Sequence, residues 1–439
     1  MLDRFLFKQI DNSPLLIFRI FFGVLIGLEC YGAIITGWVK RILMAPRFTF
    51  TFIGFEWLQP LPGLGMYFYF FVMGSLGICI ALGYKYRFSI IAFTLLWTGV
   101  YLMQKTAYNN HYYLLILISV IMAFLPANRN CSLDAKLHPA IKTDQMSAYI
   151  KWTIVLQLII VYTYASLAKL YGDWLDFSII EILFKRKEDY FLIGGLLQQP
   201  WLHKIVGVFG ILFDLLIVPA LLWKPTRKWA FFAAIFFHLF NSIVFQIGIF
   251  PFLALAFSVF FFEAELIRKI FFKKKNPYLE NKVVVPSNKK LVMGILTLYF
   301  LIQLGLPIRH NFIKDDVLWT EEGHRMSWRM MLRSRTGNTS FKVVNNTTKN
   351  YFLVNLDDYL TQAQKYKTKS YPDFMWQFSQ RLKSEYAEKG EDISVYINSR
   401  VSVNGKPYQP FIDPDIDMGK VSWNYFGHND WILPSPSKN

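Results

Sequence analysis

The segment 162–174 holds the residue with the clearest potential for proton transfer. It ends a long apolar run, and if that run is helical, Tyr162, Ser166 and Lys169 lie at positions i, i+4 and i+7 on one face. Hydrocarbon surroundings disfavour the charged form of a lysine, and a neutral amine in a dry pocket accepts a proton. Lys169 is therefore a candidate general base. The alternative is a lysine that extends to the membrane interface or stays charged beside Asp173, four residues later.

Two further polar clusters fall at or inside apolar runs. Asn109, Asn110 and His111 open the fourth apolar run, where they either cap a helix or orient the oxygens of a ligand just beneath the membrane interface. His238 and Asn241 share one helix face within a Phe-rich run. Intramembrane His and Asn usually face a cavity or a neighbouring helix, so this pair either lines a ligand site or holds the helices together.

A third cluster of aromatic and basic residues lies beyond the last apolar run, between residues 319 and 335. The guanidinium fork of arginine matches the geometry of a carboxylate, so this cluster is a candidate site for an acidic side chain. The alternative is a solvated basic strand. The candidate residues are Trp319, Ser327, Trp328, Arg333 and Arg335.

Acidic residues within the apolar part are interpreted as structural. Glu29 and Asp214 lie inside apolar runs, and we expect both to form ion pairs, one of them with Arg19. The acidic segment 413–417 superficially resembles a set of calcium ligands, but its proline favours a turn.

Composition predicts that these residues belong to a polytopic membrane protein. The 439-residue chain is 54% hydrophobic but only 18% charged, and its mean hydropathy is +0.29. The three cysteines indicate neither a disulfide framework nor a thiolate metal site. Several apolar runs are shorter than the ~20 residues of a perpendicular span, so one of them is a candidate re-entrant segment. The nine runs are 15–37, 66–84, 88–103, 112–125, 150–168, 205–222, 229–246, 248–262 and 291–306.

The distribution of charge predicts the topology and argues against nucleic-acid binding. The net charge is +17, but charges nearly balance after residue 307, and the excess lies in short loops between apolar runs. Alternating the sides gives about twice as many Lys and Arg inside as outside when the N-terminus is cytoplasmic. The C-terminal region then lies on the outer, periplasmic or lumenal side. The corner at 109–111, the Lys169 end of the fifth run and the corner at 246–248 fall at the same face.

The last part of the chain differs in pattern from the rest. A helix is predicted from about Ser370, with Pro372 in its first turn and large apolar residues at every fourth position. A strand is predicted over 393–403, followed by a hairpin turn at Asn404 and Gly405. The sequence therefore predicts a helical membrane domain over 1–306, with eight or nine transmembrane helices, and a small α+β domain over 307–439.

Taken in chain order, several stretches resemble the vitamin K-dependent γ-glutamyl carboxylases and related HTTM-domain proteins. Each stretch alone is weak, but together they cover nearly the whole chain and are specific. They are KTAYNNH (105–111), PANR (126–129), AKLYGDW (168–174), HLFN with QIG (238–248), SWRMMLRSR (327–335) and FIDPDID (411–417). The chain looks like a short bacterial-type member, because the larger animal carboxylases continue into a further lumenal domain.

The resemblance implies a lyase that couples epoxidation of a quinol to carboxylation of protein glutamate. Its co-substrates would be vitamin K hydroquinone (phylloquinol or menaquinol), O₂ and CO₂, without a metal, and its partners a glutamate-containing protein and the lipid bilayer. Lys169 matches the family's base, and Asn110 and His111 match positions that orient the quinone oxygens. Asn109, His238 and Asn241 would complete the quinone site.

The resemblance also assigns the third cluster to the glutamate substrate, through Trp328, Arg335 and their neighbours. Arg333 stands where the animal enzymes have a histidine, a departure that bears on the acceptor site. Two other functions stay open from the residues: a non-catalytic quinone-binding membrane protein, and a membrane acyltransferase that uses His238 and Asn241. A transporter is disfavoured, because no inverted repeat is visible.

Overall fold

The protein is described by a computed structural model that covers residues 2–280 and 282–436. Within these residues, seven helices are long and apolar enough to cross a membrane, or eight if one bent pair counts as a single span. The chain therefore belongs in a membrane, as its composition predicts. The seven helices are α1 (Ser13–Ile35), α2 (Gly65–Leu82), α3 (Tyr86–Met103), α5 (Ala148–Leu167), α7 (Pro200–Leu222), α8 (Arg227–Phe245) and α11 (Lys289–Ile308).

The other two of the nine predicted runs are helical but do not form straight spans. Helix α4 (Asn110–Phe124) has 15 residues, fewer than a perpendicular crossing needs. The run at 248–262 becomes α9 (Phe250–Ala256), which continues as a 3₁₀ turn to Phe260, and it bends by 118° into α10 (Ala264–Phe271). Glu263 sits at the bend and pairs with Arg227 at 2.8 Å.

Close packing of α1 against α2 depends on small residues. A Cβ atom on Gly23 would lie 2.3 Å from the backbone nitrogen of Ala81, and one on Gly77 would lie 2.8 Å from the nitrogen of Gly27. Small residues let two helix backbones approach, and close backbone approach is a main source of helix association in lipid.

The predicted ion pair of Arg19 with an intramembrane acid is wrong. Arg19 is fully buried, and its guanidinium donates to backbone carbonyls, including those of Ala127 at 2.9 Å and Cys131 at 2.7 Å. Glu29 instead accepts a hydrogen bond from Tyr112 at 2.9 Å. Loop carbonyls at the end of α4 solvate Arg19, a partnership that residue spacing does not reveal.

Short elements connect the spans on both faces. Strands β1 (Gln9–Asp11) and β2 (Gln145–Ser147) pair antiparallel just before α1 and α5. Helix α6 (Ser178–Lys185) lies at the opposite end of α5 and packs against α7. Helical turns of three to five residues are found at Leu2–Leu6, Lys40–Met44, Lys105–Ala107, Leu133–Leu137, Pro139–Ile141, Gly172–Leu175, Gly194–Leu197, Arg309–Phe312, Val317–Thr320 and Leu356–Asp358.

The C-terminal region folds as the predicted α+β unit. Its elements are β3 (Arg335–Asn345), β4 (Tyr351–Leu353), α12 (Gln362–Thr368), α13 (Pro372–Ala387), β5 (Ile393–Val403) and β6 (Gln409–Pro410). Its sheet has the order β4-β3-β5-β6, and β5 pairs antiparallel with β3 along its whole length. Phe374, Phe378 and Leu382 on α13 are buried against this sheet, and Asn404 and Gly405 take the positive φ angles of a hairpin turn.

The segment 413–417 forms a turn attached to the sheet. Asp413 accepts the backbone N–H of Asp415, and Asp417 accepts those of Val395 and Gly419, each at 3.0 Å. These bonds engage the carboxylates with the backbone.

Candidate functional site

An apolar cavity of about 620 Å³ lies among α5, α6, α7, α8 and α9. Most of its wall is aromatic or aliphatic, and its outer side is formed by residues exposed to lipid, such as Trp229, Phe232 and Phe236. A cavity of this size and lining suits a flat apolar ligand that enters from the bilayer. Its polar lining residues are His111, Tyr162, Lys169, Asp214, His238 and Asn241.

Lys169 and Asp214 form a buried pair in this cavity. The Lys169 Nζ atom donates to Asp214 Oδ2 and, at 3.0 Å, to the carbonyl of Ala165, and it lies 5.3 Å from the ring centroid of Trp174. Both side chains are less than a tenth exposed. The amine therefore lies inside the cavity with its own carboxylate, as a proton-transfer pair requires.

The predicted pairing of Lys169 with Asp173 is wrong. Asp173 is not the partner of Lys169, because its carboxylate accepts from Asn404 at 2.8 Å and Lys406 at 2.9 Å in the C-terminal region. Asp214 forms the ion pair predicted for it, but its partner is Lys169 and not Arg19. The α5 helix ends at Leu167, so the i+4 geometry that would join Lys169 to Asp173 is lost.

Two histidines meet at the same wall of the cavity. The His111 ring stacks on Phe250 at 3.8 Å between centroids, and His238 lies edge-on to the same ring at 6.2 Å. His238 Nε2 also lies 3.1 Å from the hydroxyl of Tyr162. Asn241, one turn beyond His238, lines the cavity as well. Residues far apart in sequence thus converge around one apolar space.

A second cavity of about 960 Å³ lies between the membrane helices and the C-terminal region, and it is strongly cationic. Eight of its lining residues are Lys or Arg, whereas one, Glu29, is acidic. Such an excess of positive charge suits an anionic ligand. The cations are Arg41, Lys105, Arg186, Arg325, Arg329, Arg333, Arg335 and Lys367.

Three nitrogen atoms in this cavity wall are buried and have no hydrogen-bond partner among the residues that the structure describes. They are Nε of Arg329, Nη2 of Arg335 and Nδ1 of His324. Leaving a buried polar group unsatisfied costs about 1–3 kcal/mol, more when the group is charged. These groups are therefore positioned to donate to, or in the case of neutral His324 to accept from, a bound ligand.

Acids and carbonyls hold the guanidinium groups of Arg333 and Arg335 in place. Arg333 forms a two-bond pair with Glu321, and Arg335 donates to the carbonyls of Ser370, Leu318 and Trp319. The cationic surroundings also act on Tyr371. Burial alone would raise the pKa of Tyr371, but Arg333 and Lys367 hold it below its ordinary value.

A buried charge cluster joins this wall to the membrane domain. Asp373 at the start of α13 accepts from Lys105 at 2.5 Å and pairs with Arg325 at 2.9 Å. Burial would raise the pKa of Asp373, but Arg325 and Lys105 together hold it well below its usual range. The cluster fixes the C-terminal region over α3 and α4.

The two predicted asparagines act mainly through the backbone. The Asn109 side chain accepts from the Tyr112 N–H at 2.8 Å and so caps α4. The Asn110 amide donates to the carbonyl of Arg329 at 3.1 Å and accepts from the Tyr108 hydroxyl at 2.8 Å. Both residues line the cationic cavity, next to His111.

Three residues predicted for the acidic substrate lie outside both cavity walls. Trp319 donates to the Leu433 carbonyl in the core of the C-terminal region, and Ser327 donates to the Gly323 carbonyl at 2.5 Å. Trp328 has a positive φ of 56° and is 1% exposed, stacked on Tyr113. The backbone of this segment turns these side chains inward, so Arg325, Arg329 and His324, which the prediction omitted, occupy the wall beside Arg333 and Arg335.

The two cavities share one wall. His111, Ile247, Met330 and Met331 line both of them. An apolar ligand beside the Lys169–Asp214 pair and an anionic ligand beside the arginines would therefore be separated by one layer of side chains.

Comparison with known families agrees with this arrangement. Residues 7–265 match the HTTM domain, and residues 288–438 match the family described as vitamin K-dependent gamma-carboxylase, lumenal domain. No solved structure was found to match the chain. The two family matches together span nearly the whole sequence. The chain therefore belongs to the vitamin K-dependent gamma-carboxylase family of HTTM-domain membrane proteins.

Proposed function

We propose that the protein is a quinol-dependent γ-glutamyl carboxylase that couples quinol epoxidation by O₂ to addition of CO₂ to a protein glutamate. The observation that carries this proposal is the shared wall: an apolar cavity with a Lys–Asp pair adjoins a cationic cavity with unsatisfied N–H groups. The proposal includes a membrane domain over 1–306 and a C-terminal domain over 307–439 on the periplasmic or lumenal side.

The apolar cavity fits a naphthoquinol with a prenyl tail. Its aromatic wall matches a flat ring, and the lipid-exposed side between α7 and α8 leaves room for a tail that stays in the bilayer. When bound, reduced vitamin K would supply the reaction with O₂ that generates a base strong enough to remove a glutamate γ-hydrogen. His111, His238 and Asn241 supply the polar groups that orient the ligand's oxygens.

Lys169 and Asp214 would act together to remove the first proton, which comes from a ligand hydroxyl. In water, such a pair is an ammonium and a carboxylate, with the proton on the amine. In a water-poor cavity, the neutral form of the pair, an amine and a carboxylic acid, comes close to the charged form in free energy. Transfer of that proton to Asp214 Oδ2 leaves a neutral amine on Lys169. The amine then accepts a proton from a ligand hydroxyl within hydrogen-bond reach.

The cationic cavity would hold the glutamate side chain. Arg329 and Arg335 donate unsatisfied N–H groups to a carboxylate, and charge-assisted bonds of this kind are the strong ones. Met330 and Met331 line both cavities and would limit the entry of water, which would quench a strong base before it meets the γ-hydrogen.

Substitution of Lys169 by Ala tests the proposal. Detergent-solubilised protein is given reduced vitamin K, O₂, labelled bicarbonate and a glutamate-containing peptide, and both epoxide and label are followed. Loss of a general base lowers the rate by about 10²–10⁴-fold, so epoxide formation should fall by at least ~100-fold in Lys169→Ala. A normal epoxide yield in this variant removes Lys169 as the base. A wild-type protein that binds the quinol but forms no epoxide indicates a non-catalytic quinone-binding protein instead.

A further inference from the structure

A basic hollow lies on the face of the membrane domain opposite the C-terminal region. It has a volume of about 540 Å³ and lies where the end of α10 meets the loop that leads from α4 to α5. Strands β1 and β2 adjoin it at the start of α5, whereas Lys169 follows the other end of that helix, about 30 Å away at 1.5 Å per residue. The hollow is therefore separate from both cavities of the proposed function.

The length and polarity of α10 are those of a helix at the surface of a bilayer. Helix α10 turns by 118° from the preceding helix, and its eight residues are too few to cross a membrane. Leu266 and Ile270 are exposed on its apolar half, whereas Glu265, Arg268 and Lys269 form the other half. An amphipathic helix of this kind lies in the interface, with its apolar face in the acyl chains.

Carboxylates neutralise the positive charge at the floor of the hollow, but they do not neutralise the lysines at its rim. Lys275 is buried, and its Nζ atom donates to both carboxylate oxygens of Asp11 at 3.0 Å and lies 3.5 Å from Asp144. Lys142, Lys273 and Lys274 are exposed at the rim. Among the described residues, no carboxylate lies within ion-pairing distance of these three ammonium groups.

We propose that this hollow binds the headgroup of an anionic phospholipid. Three unpaired ammonium groups match a phosphodiester, and the adjoining Ile270, Phe271 and Phe272 match the first part of the acyl chains. Basic pockets at the surface of membrane domains recognise such headgroups, and each Lys near a membrane surface contributes about a factor of five in affinity. The run 273–275 then has two roles, an anchor within the protein and a lipid contact, beyond the topology signal alone.

Native mass spectrometry of the full chain in detergent tests this proposal. Phosphatidylglycerol and phosphatidylcholine are titrated into the wild type, into the triple variant Lys142→Gln, Lys273→Gln and Lys274→Gln, and into a control with the same loss of charge. The control carries Lys224→Gln, Lys228→Gln and Lys269→Gln on the same face, where Lys224 and Lys269 are paired with Glu263 and Glu265. All variants are first checked for a monodisperse, folded protein by gel filtration and thermal unfolding.

The expected result is selective loss of one bound anionic lipid. The site variant should bind phosphatidylglycerol on the order of 100-fold more weakly, and the control should stay within about tenfold of the wild type. Equal losses in the two variants, or equal binding of phosphatidylcholine by the wild type, would overturn the proposal. Glycerol 3-phosphate distinguishes a lipid from a free phosphate ester: binding as tight as that of phosphatidylglycerol would overturn the lipid assignment. None of these outcomes depends on carboxylase activity.

Discussion

The two adjoining cavities differ in how their buried charges are balanced. In the apolar cavity, the Lys169 ammonium group faces one carboxylate, and aromatic side chains surround both. In the cationic cavity, eight Lys and Arg side chains far outnumber the nearby acids, and some of their N–H groups lack protein partners. A balanced pair in a water-poor space can move a proton without creating net charge, whereas an unbalanced cluster requires an anion from outside. The contrast supports the proposal of proton transfer in the apolar cavity and anion capture in the cationic one.

The largest effect on epoxide formation is expected when the Asp214 carboxylate is removed from the apolar cavity. Asp214→Asn keeps the shape of the side chain but takes away the carboxylate that shares the proton with Lys169. Epoxide formation should fall by roughly 100-fold or more, because the pair acts as one acid–base unit. The rate of epoxide formation from reduced vitamin K measures the effect.

Asp173→Asn is the matched control for that variant. Asp173 lies close to Lys169 in sequence, but its carboxylate is bound to Asn404 and Lys406. Epoxide formation should stay within about threefold of the wild type, as for a partly exposed ion pair. If Asp173→Asn lowers the rate as much as Asp214→Asn, the pairing seen in the structure does not govern catalysis.

A second large effect is expected from the cationic cavity alone. Arg329→Met removes a guanidinium whose Nε–H has no protein partner, so it should weaken binding of the glutamate substrate. A hydrogen bond to a charged group contributes about 1.5–3 kcal/mol, which predicts a KM for the peptide higher by about 10- to 100-fold. Arg329→Lys keeps the positive charge but loses the forked guanidinium group. Its KM for the peptide should lie between those of the wild type and Arg329→Met.

If the two cavities act separately, Arg329→Met should not affect the reaction in the apolar cavity. Epoxide formation measured without peptide should be unchanged in Arg329→Met, while carboxylation at low peptide concentration falls. A variant that lowers both rates in parallel would contradict the separation of the two cavities.

Sequence patterns predicted the elements of this molecule better than their pairings. The helix at Pro372–Ala387 and the strand at Ile393–Val403 follow from periodicity and turn residues, and Lys169, His111 and His238 were each predicted at a ligand site. The partner of Lys169 was missed because Asp214 lies 45 residues away on another helix. Pairing at that distance depends on how α5 and α7 pack, which residue spacing does not encode.

The segment 319–335 shows a second limit. The alternative of a solvated basic strand is wrong for nearly all of this segment, because β3 begins only at Arg335. Four of the preceding residues other than glycine have positive φ angles: Glu321, Met326, Trp328 and Met331. Such angles are rare for these residue types, and sequence gives no signal for them. They decide which side chains face the cationic cavity, so the prediction included the buried Trp328 and omitted Arg329.

A smaller effect should appear in the pH dependence of stability. The pKa of His324 lies well below its ordinary value because of burial and the neighbouring Arg333, Arg329 and Arg325. The folded state thus binds a proton less readily than the unfolded state, whose histidine titrates near pH 6.5, and stability is lost as the pH falls below that value. Thermal unfolding at pH 7.5 and 5.5 should show a lower melting temperature at the acidic pH.

His324→Gln is the test of that assignment. The variant cannot take up the proton, so its melting temperature should fall less between the two pH values than that of the wild type. Asp373 does not interfere, because its depressed pKa places its contribution below this pH range. An unchanged slope in His324→Gln would assign the pH dependence to another group.

The smallest effect concerns the wall between the cavities. Met330→Ala shortens a side chain that lines both of them and should admit water to the apolar one. Water competes with the glutamate for a strong base, so the yield of carboxylated peptide per epoxide should fall several-fold while epoxide formation persists. Met330→Leu keeps the bulk and should keep the yield. If Met330→Ala keeps it too, water is excluded by other residues of the wall, and His111, Ile247 and Met331 become the residues to vary next.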